Sequence, residues 1–156
     1  MLRVNSATSM RELEQIRDLF IDYSNSLGFD LSFQNFQKEL NELPGDYSPP
    51  SGRLLLGFHD SNPAGCVALR RISEEICEMK RLFVRPQCRG LGLGRALAMK
   101  VIEDACEIGY RRMRLDIVPT MQTAIALYFS LGFKEIEPYR YNPIKGAKFM
   151  ELHLTK

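Results

Sequence analysis

The sequence predicts an α+β fold, a mixed sheet with helices on both of its faces. Three observations carry that prediction. Segments 53–60, 64–73 and 75–84 read as strands that follow one another through turns short enough to demand antiparallel pairing. Helical periodicity lies both before and after this meander, so apolar helix faces are available for both sides of a sheet. The element order βααβββαβαββ interleaves the two types in a way that a helical bundle or a sandwich cannot accommodate. At 156 residues, with 45% hydrophobic and 26% charged residues, the chain has material for one core, and residues 1–156 are expected to form a single domain.

Taken in order, LRVNSA (2–7) is a short first strand. Ser9 and Glu12 then form an S-x-x-E capping box ahead of Leu13, Ile16, Phe20, Tyr23 and Leu27, an amphipathic helix expected to end at Gly28. A weaker helical stretch, 32–43, leads to PGDYSPPSG (44–52), whose prolines and glycines predict the longest irregular loop. The strand 53–60 and the strand 64–73 are joined by a turn at 61–63, and 75–84 follows as the third strand. After three glycines comes a helix with Leu93, Leu97, Val101, Ala105 and Ile108 on one stripe, and Lys100, Glu103, Asp104 and Glu107 on the other, stopping near Gly109. Residues 111–118 read as strand, 120–132 as helix, 133–139 as strand, and 147–154 alternates as a last strand.

Composition excludes several classes. Lys and Arg outnumber Asp and Glu by 21 to 19, a net charge of +2 that is too mild and scattered for a nucleic-acid surface. The first ten residues have no apolar core for a signal peptide, and no window approaches the roughly 18 apolar residues of a membrane span, so a cytoplasmic protein with no membrane partner is expected. Cys66, Cys77, Cys88 and Cys106 show no CxxC pair and read as free thiols packed as small hydrophobes, with no metal site.

The chemistry is carried by LFVRPQCRGLGLGRAL (82–97), a strand feeding three alternate glycines and then a helix. Such a turn is an anion site: the first helical N–H groups lack partners, the helix dipole is positive there, and absent Cβ atoms let phosphate approach the backbone. The dinucleotide fingerprint fails, because Arg95 stands where the third glycine belongs, or Leu97 if counting starts at Gly92. The upstream strand also carries Glu78, Lys80 and Arg81, too polar for a central parallel strand. A P-loop fails because no GK[ST] follows.

The segment resembles the signature of the GNAT superfamily of acetyl-CoA-dependent N-acetyltransferases, whose Q/R-x-x-G-x-G/A pattern is present as Gln87, Gly90 and Gly92. Downstream, AIALYFSLGFKEIEPY is similar to the family's second hallmark, a helix ending in Leu-Tyr before a Gly-Phe turn into a strand. The resemblance covers roughly residues 54–154. It implies a central mixed, mostly antiparallel sheet with a splayed strand pair, acetyl-CoA as cosubstrate with no metal, and a small-molecule amine as acceptor; a homodimer is left open.

The resemblance also assigns roles. The pyrophosphate of coenzyme A is expected on the backbone of Arg89, Gly90, Leu91, Gly92, Leu93, Gly94 and Arg95, with Gln87 in the motif and the two arginines adding charge-assisted contacts. A single glycine would suffice for the turn, so three argue for backbone access. Backbone groups of Leu82, Phe83 and Val84 are expected to pair with the pantetheine arm, one N–H steadying the thioester oxygen. Glu78, placed by alternation on one face with Lys80, Leu82 and Val84, is the candidate base that frees the acceptor amine, with an ion pair to Arg70 or Arg71 as the alternative. Glu75 or a water chain is the fallback. Tyr128 matches the family tyrosine that protonates the departing thiolate, or else is a core aromatic beside Ala124, Leu127 and Leu131. Met121 stands where many members have Asn, so that cofactor contact is absent or passes to Thr120 or Thr123. Arg53, Arg70, Arg71 and Arg140, with Tyr139, Tyr141 and the 44–52 loop, are candidates for the acceptor pocket. An enzyme acting on a primary amine by direct attack in a ternary complex is the leading expectation; a peptide acetyltransferase and a non-catalytic acyl-CoA-binding module are the rivals.

Overall fold

The computed structural model describes residues 1–27 and 35–154. The elements run β1 (Leu2–Ser6), α1 (Met10–Ser26), α2 (Phe36–Glu42), β2 (Arg53–His59), β3 (Asn62–Arg71), β4 (Ile76–Val84), α3 (Leu93–Ile108), β5 (Arg112–Ile117), α4 (Gln122–Ser130), β6 (Lys134–Ile136) and β7 (Lys148–His153), the order expected from sequence. The expected helix stop at Gly28 and the first residues of the second helical stretch, 32–34, lie outside the described residues. Among the described residues no helix is long and apolar enough to cross a membrane.

Local signals explain the boundaries. The capping box closes as expected, with Glu12 N–H donating to Ser9 Oγ at 3.1 Å and Ser9 N–H donating to Glu12 Oε1 at 3.0 Å. The Ser9 and Thr8 backbone donors hold the Glu12 carboxyl below its ordinary range. The β2–β3 turn lies one residue earlier than predicted. His59 pairs with Asn62, and Asp60 and Ser61 both take positive φ (49° and 75°), as a two-residue type I′ hairpin requires.

The seven strands order as β1-β2-β3-β4-β5-β7-β6, antiparallel throughout except for β4 against β5. This is the mixed, mostly antiparallel sheet with helices on both faces. Against one face pack Leu93, Leu97, Val101 and Ala105 of α3 with Ile125 and Tyr128 of α4. Against the other pack Ile16, Leu19 and Phe20 of α1, Leu40 of α2 and Tyr47. The 44–52 loop is therefore not merely irregular: Gly45–Tyr47 forms a 3₁₀ turn and Tyr47 meets Phe20 edge-on, ring centres 6.2 Å apart. On α3 the predicted polar stripe holds except at Asp104, which is buried and bonded to Lys100 at 3.1 Å. All four cysteines are free, and burial pushes the Cys77 thiol up to about 12.

Two features shape the middle of the sheet. β4 pairs with β5 only from Ile76↔Arg112 to Glu78↔Arg114, after which the two strands part. This is the splayed pair. On its other edge β4 carries a bulge: Ala68 faces Lys80 but Cys66 faces Phe83, so Arg81 and Leu82 together oppose Val67. Arg81 takes φ 62°, an unusual conformation for a side chain with a Cβ. The bulge corrects the expected alternation. Glu78 and Lys80 do share a face, that of α1 and α2, but Leu82 and Val84 have switched to the α3–α4 face, where they pack with Cys77 and Met79.

Candidate active site

Where β4 and β5 part, residues 79–82 and 115–118 form the walls of a cleft with about 590 Å³ of empty space, open solvent included. Met121 and Tyr128 close it from the α4 side, and Tyr23 and Asn142 from the opposite side. The cleft thus runs through the sheet from one face to the other.

At its α3 end sits the glycine turn. Gly90 and Gly92 have φ 81° and 92°, and a Cβ built on either meets nothing within 4 Å. The conformation itself therefore requires two of the three glycines, more than the single one expected from sequence, and the space beside them is open. Gly94 is within α3, near only Val84 Cγ2 at 3.7 Å. Gly92 is the N-cap and no side chain caps the helix; Ala96 N–H donates to Gly92 O at 3.0 Å, leaving the N–H groups of Leu93, Gly94 and Arg95 without helical partners. Gln87, Arg89 and Leu91 are exposed on the same turn. Arg89 Nε donates to Val84 O at 2.9 Å, and Arg95 donates to Ser130 Oγ at 2.7 Å, tying α3 to α4. Leu82, Phe83 and Val84 have β3 on one side, and no described strand pairs with them on the other.

Tyr128 packs in the core against Phe133, ring centres 5.5 Å apart, as its core-aromatic reading expects, and it also lines the cleft. Burial raises its hydroxyl pKa well above the ordinary value, so the hydroxyl stays protonated at neutral pH. Met121 also lines the cleft, whereas Thr120 and Thr123 are exposed.

The opposite face holds buried charge. Glu78 is fully buried; it accepts from Arg70 Nε at 2.8 Å and from the Tyr139 hydroxyl at 2.6 Å, with an Arg140 nitrogen at 3.4 Å. The ion pair to Arg70 weighed from sequence is formed, while Arg71 instead lies over Tyr110, 5.8 Å from the ring centre. Arg140 also donates to Asp116 Oδ1 at 2.8 Å, and Asn142 donates to Asp116 Oδ2 at 3.0 Å. Burial opposes the Asp116 charge, but Arg140, with Lys80 and Asn142, outweighs it and holds the carboxyl below its ordinary value. Lys80, 7% exposed, has its ammonium lowered to about 7 by burial and then by Arg81, with Glu78 opposing. Arg81 reaches Glu39 of α2 bidentately, at 3.0 and 2.8 Å.

Of the arginines and tyrosines proposed for the acceptor side, the structure brings together Arg70, Arg140 and Tyr139. Arg53 donates to the carbonyls of Pro50 and Gly52, and Tyr141 is exposed. Glu75 sits at the far end of β4, exposed, 3.8 Å from Arg111. Lys80, Arg81, Glu39, Asp116 and Asn142 were not singled out from sequence as site residues. The only sequence signal was the three charges of EMKR (78–81) inside an otherwise apolar strand.

A glycine turn feeding a helix that no side chain caps lies beside a parted strand pair, and comparison with known proteins says which class of protein carries them. Residues 13–133 match the model of the Acetyltransferase (GNAT) family. An uncharacterised N-acetyltransferase of Schizosaccharomyces pombe is 38% identical over 99% of this chain and 96% of its own length. In fold, the chain is similar to a GNAT-family acetyltransferase of Staphylococcus aureus Mu50, with a TM-score of 0.82 at 20% identity over 99% of this chain and 100% of that one. It is also similar to the PaiA N-acetyltransferase of Thermoplasma acidophilum, solved in complex with coenzyme A, with a TM-score of 0.75 at 18% identity over 98% and 99% of the two chains. The chain belongs to the GNAT family and is an acetyl-CoA-dependent acetyltransferase.

Proposed function

We propose that the protein transfers an acetyl group from acetyl-CoA to the primary amine of a small metabolite by direct attack in a ternary complex. The observation that carries this reading is the cleft through the sheet, with a backbone anion site and Tyr128 toward one face and buried charge on the other. In this reading the pyrophosphate rests on the N–H groups of residues 89–95, with Arg89 and Arg95 beside it. The pantetheine arm lies along Leu82, Phe83 and Val84 where β4 has lost its neighbour. The Thermoplasma protein of similar fold was solved with coenzyme A, which supports this choice of cofactor.

The acceptor amine attacks the thioester carbon, and a backbone N–H of β4 steadies the oxygen as it becomes negative. Tyr128 gives its proton to the departing thiolate. Glu78 is the proposed base, buried on the α1–α2 face behind the cleft wall, whereas the carboxylate that lines the cleft itself is Asp116. Both oxygens of Glu78 already accept hydrogen bonds, so a proton reaches it by displacing one of these or through Tyr139. The four free thiols suit a reducing compartment, and the cytoplasm is the proposed location. The test is a panel of amines, amino acids and peptides, with release of free thiol from acetyl-CoA as the readout. A small amine as best substrate supports the reading, a peptide as best substrate replaces the acceptor class, and no turnover with any of them removes the primary-amine acceptor.

A further inference from the structure

The acceptor side of the cleft already contains an amine that belongs to the chain. Lys80 is more than nine-tenths buried, lines the cleft wall, and takes no part in the steps described above. Its face is set by register: it pairs with Ala68, which packs in the α1–α2 core, whereas Tyr128 packs in the core of α3 and α4. Lys80 therefore stands on the side from which an acceptor approaches, four residues along β4 from the parted backbone of Val84. The charged groups around it are Glu78 and Arg81 on its own strand, Arg70 on β3, Asp116 on β5 and Arg140 from the β6–β7 connection. Burial, with Arg81, lowers its ammonium to about 7, so a far larger share of the molecules carries it neutral at pH 7 than for an ordinary lysine.

We infer that Lys80 is an internal acetyl acceptor: with acetyl-CoA bound and no other amine present, the acetyl group passes to its Nζ. The inference rests on acetyl-CoA occupying the cleft as proposed above. The neutral Nζ forms a bond to the thioester carbonyl carbon, the carbon–sulfur bond breaks with its electron pair leaving on sulfur, and the proton lost from nitrogen ends on that thiolate. The products are Nε-acetyl-Lys80 and free coenzyme A. An amide there occupies the acceptor side, so the modified chain no longer turns over, and an enzyme kept with cosubstrate but without acceptor silences itself.

The experiment incubates the purified full-length protein with acetyl-CoA and no added amine, and follows it by intact mass and peptide mapping. Lys134 and Lys145, both exposed, are internal controls for uncatalysed acetylation. One acetyl group per chain, on Lys80, forming about 10²-fold or more faster than on the controls, is the expected result. Excess coenzyme A should suppress it without slowing the controls, and Lys80→Arg should lose it. Because the site is mapped in the unaltered chain, the outcome does not depend on the variant folding. If calorimetry shows acetyl-CoA bound while Lys80 stays unmodified, or is modified no faster than Lys134, the inference is wrong and the cofactor reading stands. If acetyl-CoA does not bind, both fall together.

Discussion

On the α3–α4 face of the gap the candidate site is backbone: two glycines at positive φ, three helical N–H groups without partners, and open space around them. On the α1–α2 face it is buried side-chain charge, with Glu78 met by Arg70 of the neighbouring strand, and Asp116 and Glu39 met by arginines further along the chain, Arg140 and Arg81. A backbone site recognises a ligand group that is always the same, and a side chain there would only intrude. A side-chain site is adjustable, but every charge placed in it has to be compensated or the fold suffers. Function and stability are thus separable on the first face and entangled on the second.

The sharpest test of that contrast is Tyr128→Phe. It removes one oxygen from the cleft and keeps the ring on Phe133, so turnover should fall about 10²- to 10⁴-fold while melting temperature and coenzyme A affinity stay near the parent. Normal turnover in the steady state would return Tyr128 to a purely structural role. The opposite signature is expected of Glu39→Gln. Arg81, 2% exposed at its side chain, loses the charge that compensates it, and stability should drop by about 3 kcal/mol in urea unfolding with coenzyme A affinity unchanged. An equal loss of affinity would show that the two faces are not separable.

Gly92→Asp tests the first face directly. It places a carboxylate beside the proposed phosphate and strains a φ of 92°, so calorimetry should show binding weaker by roughly tenfold or more. Gly92→Ala carries the strain without the charge and should lose less. The smallest effect expected is at Asp116. Its carboxyl is held below the ordinary value of 3.8, so the stability it contributes is present above that value and is lost as pH falls through the lower folded value. Asp116→Asn should cost about 1 to 2 kcal/mol at neutral pH and flatten the acid limb of a stability-versus-pH curve. An unchanged acid limb would mean that other carboxylates govern it.

The same contrast explains what was legible in the sequence. The capping box at Ser9, the apolar stripe of α3 and the glycine turn are local patterns, and each lies where it was expected. The tyrosine at position 128 was legible because it sits in a local motif. Glu78 and its ion pair with Arg70 were legible by strand counting, but the bond from Tyr139, 61 residues away, was not, nor was the meeting of Arg81 with Glu39 across 42. Nothing local specifies such pairs, which come from two strands and a helix meeting in space. The bulge at Arg81 was missed for a related reason. Alternation assumes an unbroken ladder, and here an arginine, not a glycine, adopts the left-handed conformation because buried partners hold its side chain.

The short parallel pairing of β4 with β5 has a mechanical meaning. Strands β1 to β4 form one plate and β5, β7 and β6 another, and the plates are stitched through the sheet by only three residue pairs, 76 with 112 to 78 with 114. They form a wedge whose backbone ladder closes at its apex, with Arg140, bonded to Asp116 and 3.4 Å from Glu78, bridging the two plates on one face. A ligand lying in the wedge as an extra strand would continue the ladder where the chain's own pairing stops, so one molecule would join both plates at once.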